Sequence, residues 1–126
     1  DGRPIRAAAG PAPTLLATAA TLAPQNWPGG VPATGRAFRA SLAYRMALVA
    51  EGRFDGMVTL RPAWEWDVAA GTLLCERAGA VATDPAGGRL RFNAPVPQVP
   101  GVVAAGPGLH ADLMARLHPP AATRAG

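Results

Sequence analysis

The run Trp64-Glu65-Trp66-Asp67-Val68-Ala69-Ala70-Gly71 places two carboxylates among two indoles, at the mouth of a stretch with helical spacing. From Asp67 onward Val68, Ala69, Leu73, Leu74 and Ala78 recur at that spacing, and Gly79 stands where a left-handed residue would close the helix. Asp67 then falls in the first turn, where a carboxylate can accept hydrogen bonds from unpaired amides and meets the positive end of the helix dipole. Taken alone this is a capping acid beside core tryptophans, although two adjoining indoles are an odd setting for a mere cap. The other residue with reactive chemistry is Cys75, mid-helix among apolar neighbours, which reads as a buried inert thiol. A catalytic thiol would want a histidine, and the two histidines, His110 and His118, fall in the last stretch, where a solvent-facing role is expected.

The elements that must position these residues follow from periodicity and turn chemistry. Ser41 can cap a helix whose apolar set Leu42, Met46 and Val49 keeps one stripe until Gly52 ends it. Strands are expected at Leu15-Leu16-Ala17-Thr18, Met57 to Leu60, Ala80 to Thr83, Leu90 to Phe92 and Val102 to Ala105. Asp84-Pro85-Ala86-Gly87-Gly88 reads as the hairpin turn between the third and fourth of them. Leu109, Leu113 and Leu117 share one side of a last helix. The prolines and glycines between Pro24 and Arg36 make an irregular loop, and Pro95, Pro97 and Pro100 an extended linker. Alternating strands and helices predict an α/β layer arrangement with helices covering a sheet.

Composition narrows the functional classes. At 126 residues the chain has the size of one domain, and its fifteen glycines and fourteen prolines imply many turns between short elements. All twelve basic residues are arginines and the net charge is +4, yet the arginines are scattered from Arg3 to Arg124 without a cluster or interleaved aromatics. That is not the footprint of nucleic-acid binding. A single cysteine excludes a disulfide framework, and no apolar run has the length of a membrane span, so a cytoplasmic location is expected.

A helix ending in Ala50-Glu51-Gly52-Arg53-Phe54-Asp55, a short strand, the Trp66-Asp67-Val68-Ala69-Ala70-Gly71 helix and an Ala78-Gly79-Ala80-Val81 strand follow in an order that resembles the C-terminal half of the inositol monophosphatase family. The resemblance covers positions 36 to 117 best. It implies an αβαβα sandwich, to which residues 1–117 contribute the C-terminal half, a mixed sheet with covering helices, while residues 118–126 form a flexible tail. Asp1-Gly2-Arg3-Pro4 resembles a turn found midway through family members, so a fragment lacking the N-terminal metal-binding half is expected.

The same resemblance implies a magnesium-dependent phosphatase in which Asp67 is a metal ligand. The family's other ligands, an upstream Glu and an Asp-Pro-x-Asp-Gly-Thr motif, are not in this sequence. Substrate contacts are implied for Ser41, where the family has Gly-Ser and this chain Ala40-Ser41, and for Arg45, Arg61 and Glu65. Arg45 and Glu65 make the chain more similar to the bacterial branch acting on phosphoadenosine phosphate than to the inositol-specific branch. The implied partner is a small phosphorylated molecule, a nucleotide bisphosphate or an inositol phosphate. A homodimer is compatible with the resemblance; nucleic acid and membrane are not implied. A domain that binds a phosphorylated ligand without hydrolysing it is the alternative.

Overall fold

The computed structural model describes residues 13–39, 41–90 and 98–119. Strand β1 (Thr14–Leu16) is followed by a 3-10 turn at Pro24–Asn26 and by β2 (Gly35–Ala37). Helix α1 (Leu42–Ala50) leads to β3 (Gly56–Thr59), a two-residue strand β4 (Ala63–Trp64) and helix α2 (Glu65–Arg77). After them come β5 (Val81–Thr83), β6 (Gln98–Val99), β7 (Val102–Ala105) and α3 (Pro107–Leu117). Five strands form one mixed sheet in the order β2-β1-β3-β7-β5, and β4 pairs with β6 in a separate ladder. β1 runs parallel to β2 and β3, whereas β7 is antiparallel to both β3 and β5. Four strands of the sheet therefore share one direction and β7 opposes them. The mixed α/β architecture agrees with the alternation of the sequence.

Both faces of the sheet are covered. Leu16, Met57, Val102 and Ala104 pack on one side with Met46 and Val49 of α1 and Val68 and Cys75 of α2. Leu15, Val58, Val103 and Ala105 point the other way, onto Leu113 and Leu117 of α3 and onto Trp27. All four residues of β7 are buried, as a central strand with helices on both faces requires. Trp27 is held in its layer by an indole N–H that donates to the Thr21 carbonyl at 2.9 Å.

Both ends of α1 and the C-terminal end of α2 are where expected, with their chemistry visible, whereas the start of α2 at Glu65 has no side-chain cap and Asp67 does not supply one. Ser41 Oγ accepts from the Tyr44 amide at 3.2 Å and so caps α1. Gly52 and Gly79 adopt φ of 76° and 86°, the left-handed conformation that lets the following amides return to the last turn. Arg53 N donates to the Leu48 carbonyl at 3.0 Å, and Ala80 N to the Cys75 carbonyl at 2.8 Å. Asp55, two residues beyond Arg53, ties the exit of α1 to the sheet: its carboxylate accepts from Thr14 N at 2.7 Å.

The face that α2 buries differs from the one expected. Val68, Gly71, Thr72 and Cys75 are the buried set, while Ala69 is exposed and Leu73 and Leu74 are each 50% exposed. The buried residues also follow i, i+3, i+4, i+7 spacing, but Gly and Thr do not register as apolar in a periodicity count. They are inside because α2 lies close against α1, where a side chain at Gly71 would collide with Met46.

Further differences are local. His110 is buried, not solvent-facing: its Nε2 lies 2.8 Å from Thr83 Oγ1, and burial lowers its pKa. Because the Thr83 hydroxyl donates to the Asp84 carbonyl at 2.9 Å, the histidine is the donor in that pair. β2 and β6 fall in stretches expected to be loop or linker, β4 in a stretch to which no element was assigned, and α3 begins two residues earlier than Leu109, on Pro107. The turn at Asp84 is present, with its Oδ1 accepting from Ala86 N and Gly88 N at 2.9 Å. Leu90 is not in a strand; the rest of that expected strand, Pro95 and Pro97, the start before residue 13 and the tail beyond Pro119 lie outside the described residues.

Cys75 is the inert thiol its neighbours suggested. It is fully buried, its Sγ donates to the Met46 carbonyl at 3.4 Å, and burial, aided by the charge of Glu76, pushes its pKa up to about 11. A thiol-specific reagent at pH 8 should therefore leave it unlabelled in the native protein, and labelling should appear in urea in parallel with unfolding. Rapid labelling without denaturant would contradict this packing.

Candidate functional site

The relative direction of the two helices on one sheet face decides where the candidate residues meet. Gly71 adjoins Met46, and Leu74, Arg77 and Ala78 line a groove with Ala47, Ala50 and Glu51. Middle residues of one helix thus meet middle residues of the other, and late residues meet late ones: α1 and α2 run side by side in the same direction. α1 follows β2, and α2 follows β3 through the short β4. Because β2 and β3 are both parallel to β1, the two helix N-termini lie together over the carboxyl ends of the parallel strands. Open α/β sheets bind ligands at that edge, and two helix N-termini there add unpaired amides and positive dipole ends suited to an anion.

All five candidate residues belong to this edge by position. Ser41 caps α1. Glu65 and Asp67 occupy the first turn of α2, Asp67 half-buried. Among the described residues no hydrogen bond or ion pair engages the Asp67 carboxylate, whereas Glu65 has a partner. Trp64 is the residue before α2, but its side chain makes no capping hydrogen bond to the helix. Arg61 is exposed in the link between β3 and β4.

Arg45, one turn into α1, is only 9% exposed, and burial lowers its pKa. The guanidinium nevertheless stays cationic at neutral pH. It stacks over the Phe38 ring with 4.9 Å to the centroid, and its Nε is buried with no hydrogen-bond partner. A buried cation without a carboxylate beside it is costly on its own, and an anionic ligand would relieve that cost. Phe38 was not singled out by the sequence, because its contact with Arg45 crosses the helix entrance and follows no period. Trp64 and Trp66, which the sequence did single out, stack in parallel with ring centres 4.8 Å apart, but they are 43% and 62% exposed and so are not core residues.

Magnesium asks for an octahedral shell of oxygen ligands. Among the described residues no group of three or more His, Cys, Asp or Glu is placed to hold a metal ion. Asp67 supplies one hard oxygen donor, so these residues by themselves do not fit a magnesium centre.

The fold and this edge define a mixed α/β protein with a corner built from paired helix N-termini. The chain belongs to the inositol monophosphatase family, whose model matches residues 15–121. Members of this family are phosphatases. Among solved structures, SaIMPase-II bound to inositol monophosphate superimposes with a TM-score of 0.76 at 16% identity, over 94% of this chain and 47% of that one. The suhB protein of Bartonella henselae gives 0.71 at 23% identity, over 93% and 48%. The inositol monophosphatase of Anabaena (Nostoc) sp. PCC 7120 gives 0.67 at 26% identity, over 92% and 48%. No curated protein matches the chain significantly. The chain spans about half the length of these solved structures. No helix among the described residues is long and apolar enough to cross a membrane.

Proposed function

We propose that these residues form the C-terminal part of a magnesium-dependent phosphomonoesterase that removes the 3′-phosphate of adenosine 3′,5′-bisphosphate in the cytoplasm. The observation that carries the reading is the gathering of Asp67, Arg45 and two helix N-termini at one sheet edge. Asp67 contributes one metal ligand there, and the remaining ligands come from polypeptide beyond these 126 residues. Bound magnesium would supply charge neutralisation on the leaving oxygen and an activated water. The residues of this chain bind and orient: the α1 N-terminus and Arg45 hold phosphate, the Ser41 hydroxyl is free to donate outward while its oxygen caps the helix, and Arg61 and Glu65 contact the substrate.

Arg45 favours a substrate with a second phosphate, because its buried Nε lacks a partner that an uncleaved phosphate would provide. The second reading is an inositol or sugar monophosphatase, supported by the inositol monophosphate held in SaIMPase-II. Phosphate release from the two substrates by a polypeptide of family length separates them. Arg45→Ala should lower kcat/KM for the bisphosphate by about ten- to a hundredfold, the range of one charge-assisted hydrogen bond, and leave turnover of inositol monophosphate near its starting value. Equal losses on both would assign Arg45 to the cleaved phosphate or to the fold and remove the nucleotide reading. Binding of either compound without any release would favour the non-catalytic ligand-binding alternative.

A further inference from the structure

Arginines in this chain settle their charge in two ways. Arg116 donates from Nε to Asp112 at 2.9 Å and from Nη1 to the Gly30 and Val31 carbonyls at 3.4 Å, and Arg53 stands 3.5 Å from Glu51. Those N–H groups are used within the chain. Arg45 is more deeply buried than either, yet among the described residues no carboxylate pairs with it. What it has instead is the Phe38 ring, just past the end of β2, with 4.9 Å from the guanidinium carbon to the centroid. A carboxylate binds the edge of a guanidinium, where all five N–H bonds lie, and cancels its charge. An aromatic ring attracts the cation through its flat face and leaves the edge open. Phe38 thus offsets part of the cost of burying Arg45 without consuming a donor, and the unpaired Nε shows that the edge is still unused. The ring also fixes the plane in which the donors point. Because β2 ends at Ala37 and α1 starts at Leu42, Phe38 stands in the link that carries the chain onto the α1 N-terminus.

We infer that Phe38 is a positioning residue: it holds the Arg45 guanidinium desolvated and oriented for the uncleaved phosphate, and so sets the preference for a substrate with two phosphates. This role rests on the nucleotide reading above. It goes further by assigning the preference to an aromatic side chain that acts through Arg45 and makes no phosphate contact of its own. An uncleaved phosphate is held alike before and during the reaction, so the contribution belongs in KM and not in kcat.

The test is steady-state kinetics on adenosine 3′,5′-bisphosphate with a polypeptide of family length that contains this chain. Phe38→Leu keeps the apolar bulk and removes the π face, so KM should rise about three- to tenfold, the range of a partly desolvated cation–π contact, while kcat stays within about twofold. Phe38→Trp offers a stronger face and should keep KM at or below the parent value. In an Arg45→Ala background Phe38→Leu should add nothing, since the two side chains act as one unit. Phe38 is 41% exposed, so its replacement should leave the core intact; if leucine nevertheless prevents folding, Phe38→Met makes the same comparison. A leucine variant with the parent KM, beside an Arg45→Ala variant that has lost affinity for the bisphosphate, would overturn the role of Phe38 and leave the nucleotide reading standing. A leucine effect that persists in the Arg45→Ala background, or that falls on kcat alone, would overturn it too, because Phe38 would then serve the fold or the reacting centre. Arg45→Ala without effect on the bisphosphate would overturn the nucleotide reading and the role of Phe38 together.

Discussion

Asp67→Asn in a polypeptide of family length is expected to lower kcat/KM for its phosphate ester by more than about a hundredfold while the protein stays folded. The substitution keeps shape and removes one anionic oxygen. Asp67 is half-buried in the first turn of α2, with no hydrogen bond or ion pair on its carboxylate among the described residues. Its structural contribution is therefore limited to the helix dipole, roughly 0.3–1 kcal/mol, so melting should move by only a few degrees. Loss of residues that merely orient a ligating group costs about 10–100-fold in metal affinity or activity, and loss of a ligand itself should exceed that. Steady-state kinetics across a magnesium titration reads both quantities. Wild-type kcat/KM with the amide in place would make Asp67 a capping residue and nothing more. The 126-residue chain, whose described residues hold no group of three or more such ligands, should release no phosphate at any magnesium concentration.

The second large effect concerns how closely the two helices approach. A Cβ added at Gly71 would lie 2.8 Å from Met46 Cβ and 2.6 Å from its Sδ. The first of these contacts sits at the root of the methionine side chain and cannot be relieved by a rotamer change. Gly71→Ala brings a gain in helix propensity of about 1 kcal/mol against an overpacking cost of about 1–3 kcal/mol, so a small net loss is expected. Gly71→Val adds two more methyl groups without that gain and should cost about 3 kcal/mol, the upper part of the overpacking range. Urea midpoints at constant m-value measure both. Combining Gly71→Ala with Met46→Ala should recover part of the loss as a coupling energy, because the two changes act on one contact. A Gly71→Val protein within about 0.5 kcal/mol of the parent, the range of an ordinary surface change, would mean that the helices stand further apart than described.

Several features were legible because local chemistry enforces them. Ser41 supplies the acceptor a helix start lacks, and Gly52 and Gly79 supply the left-handed residue a helix end uses; both requirements act within a few residues of the chain. Apolar runs at Leu15-Leu16 and Val102 to Ala105 have one outcome when a sheet is covered on both faces. The order of these elements around Trp66-Asp67 was enough to point to the family whose model matches the chain.

Other features depend on what lies opposite. The three-residue β2 and the two-residue strands β4 and β6 exist only through the neighbours they pair with, and nothing in Ala63-Trp64 or Gln98-Val99 demands pairing. His110 is inside because the Thr83 hydroxyl receives its N–H and Leu113 draws its helix onto the sheet.

From the sequence alone came the class of fold, both ends of α1, the C-terminal end of α2 and the resemblance to the family whose model matches the chain. Tertiary structure decided that α1 and α2 run in the same direction, which is what brings Ser41, Arg45, Glu65 and Asp67 to one edge, and it decided which side of α2 is inside. Leucines at 73 and 74 carry more apolar surface than Gly71 and Thr72, so composition favours burying them. Close contact between two helices favours the small residues instead, and leaves the leucines facing outward.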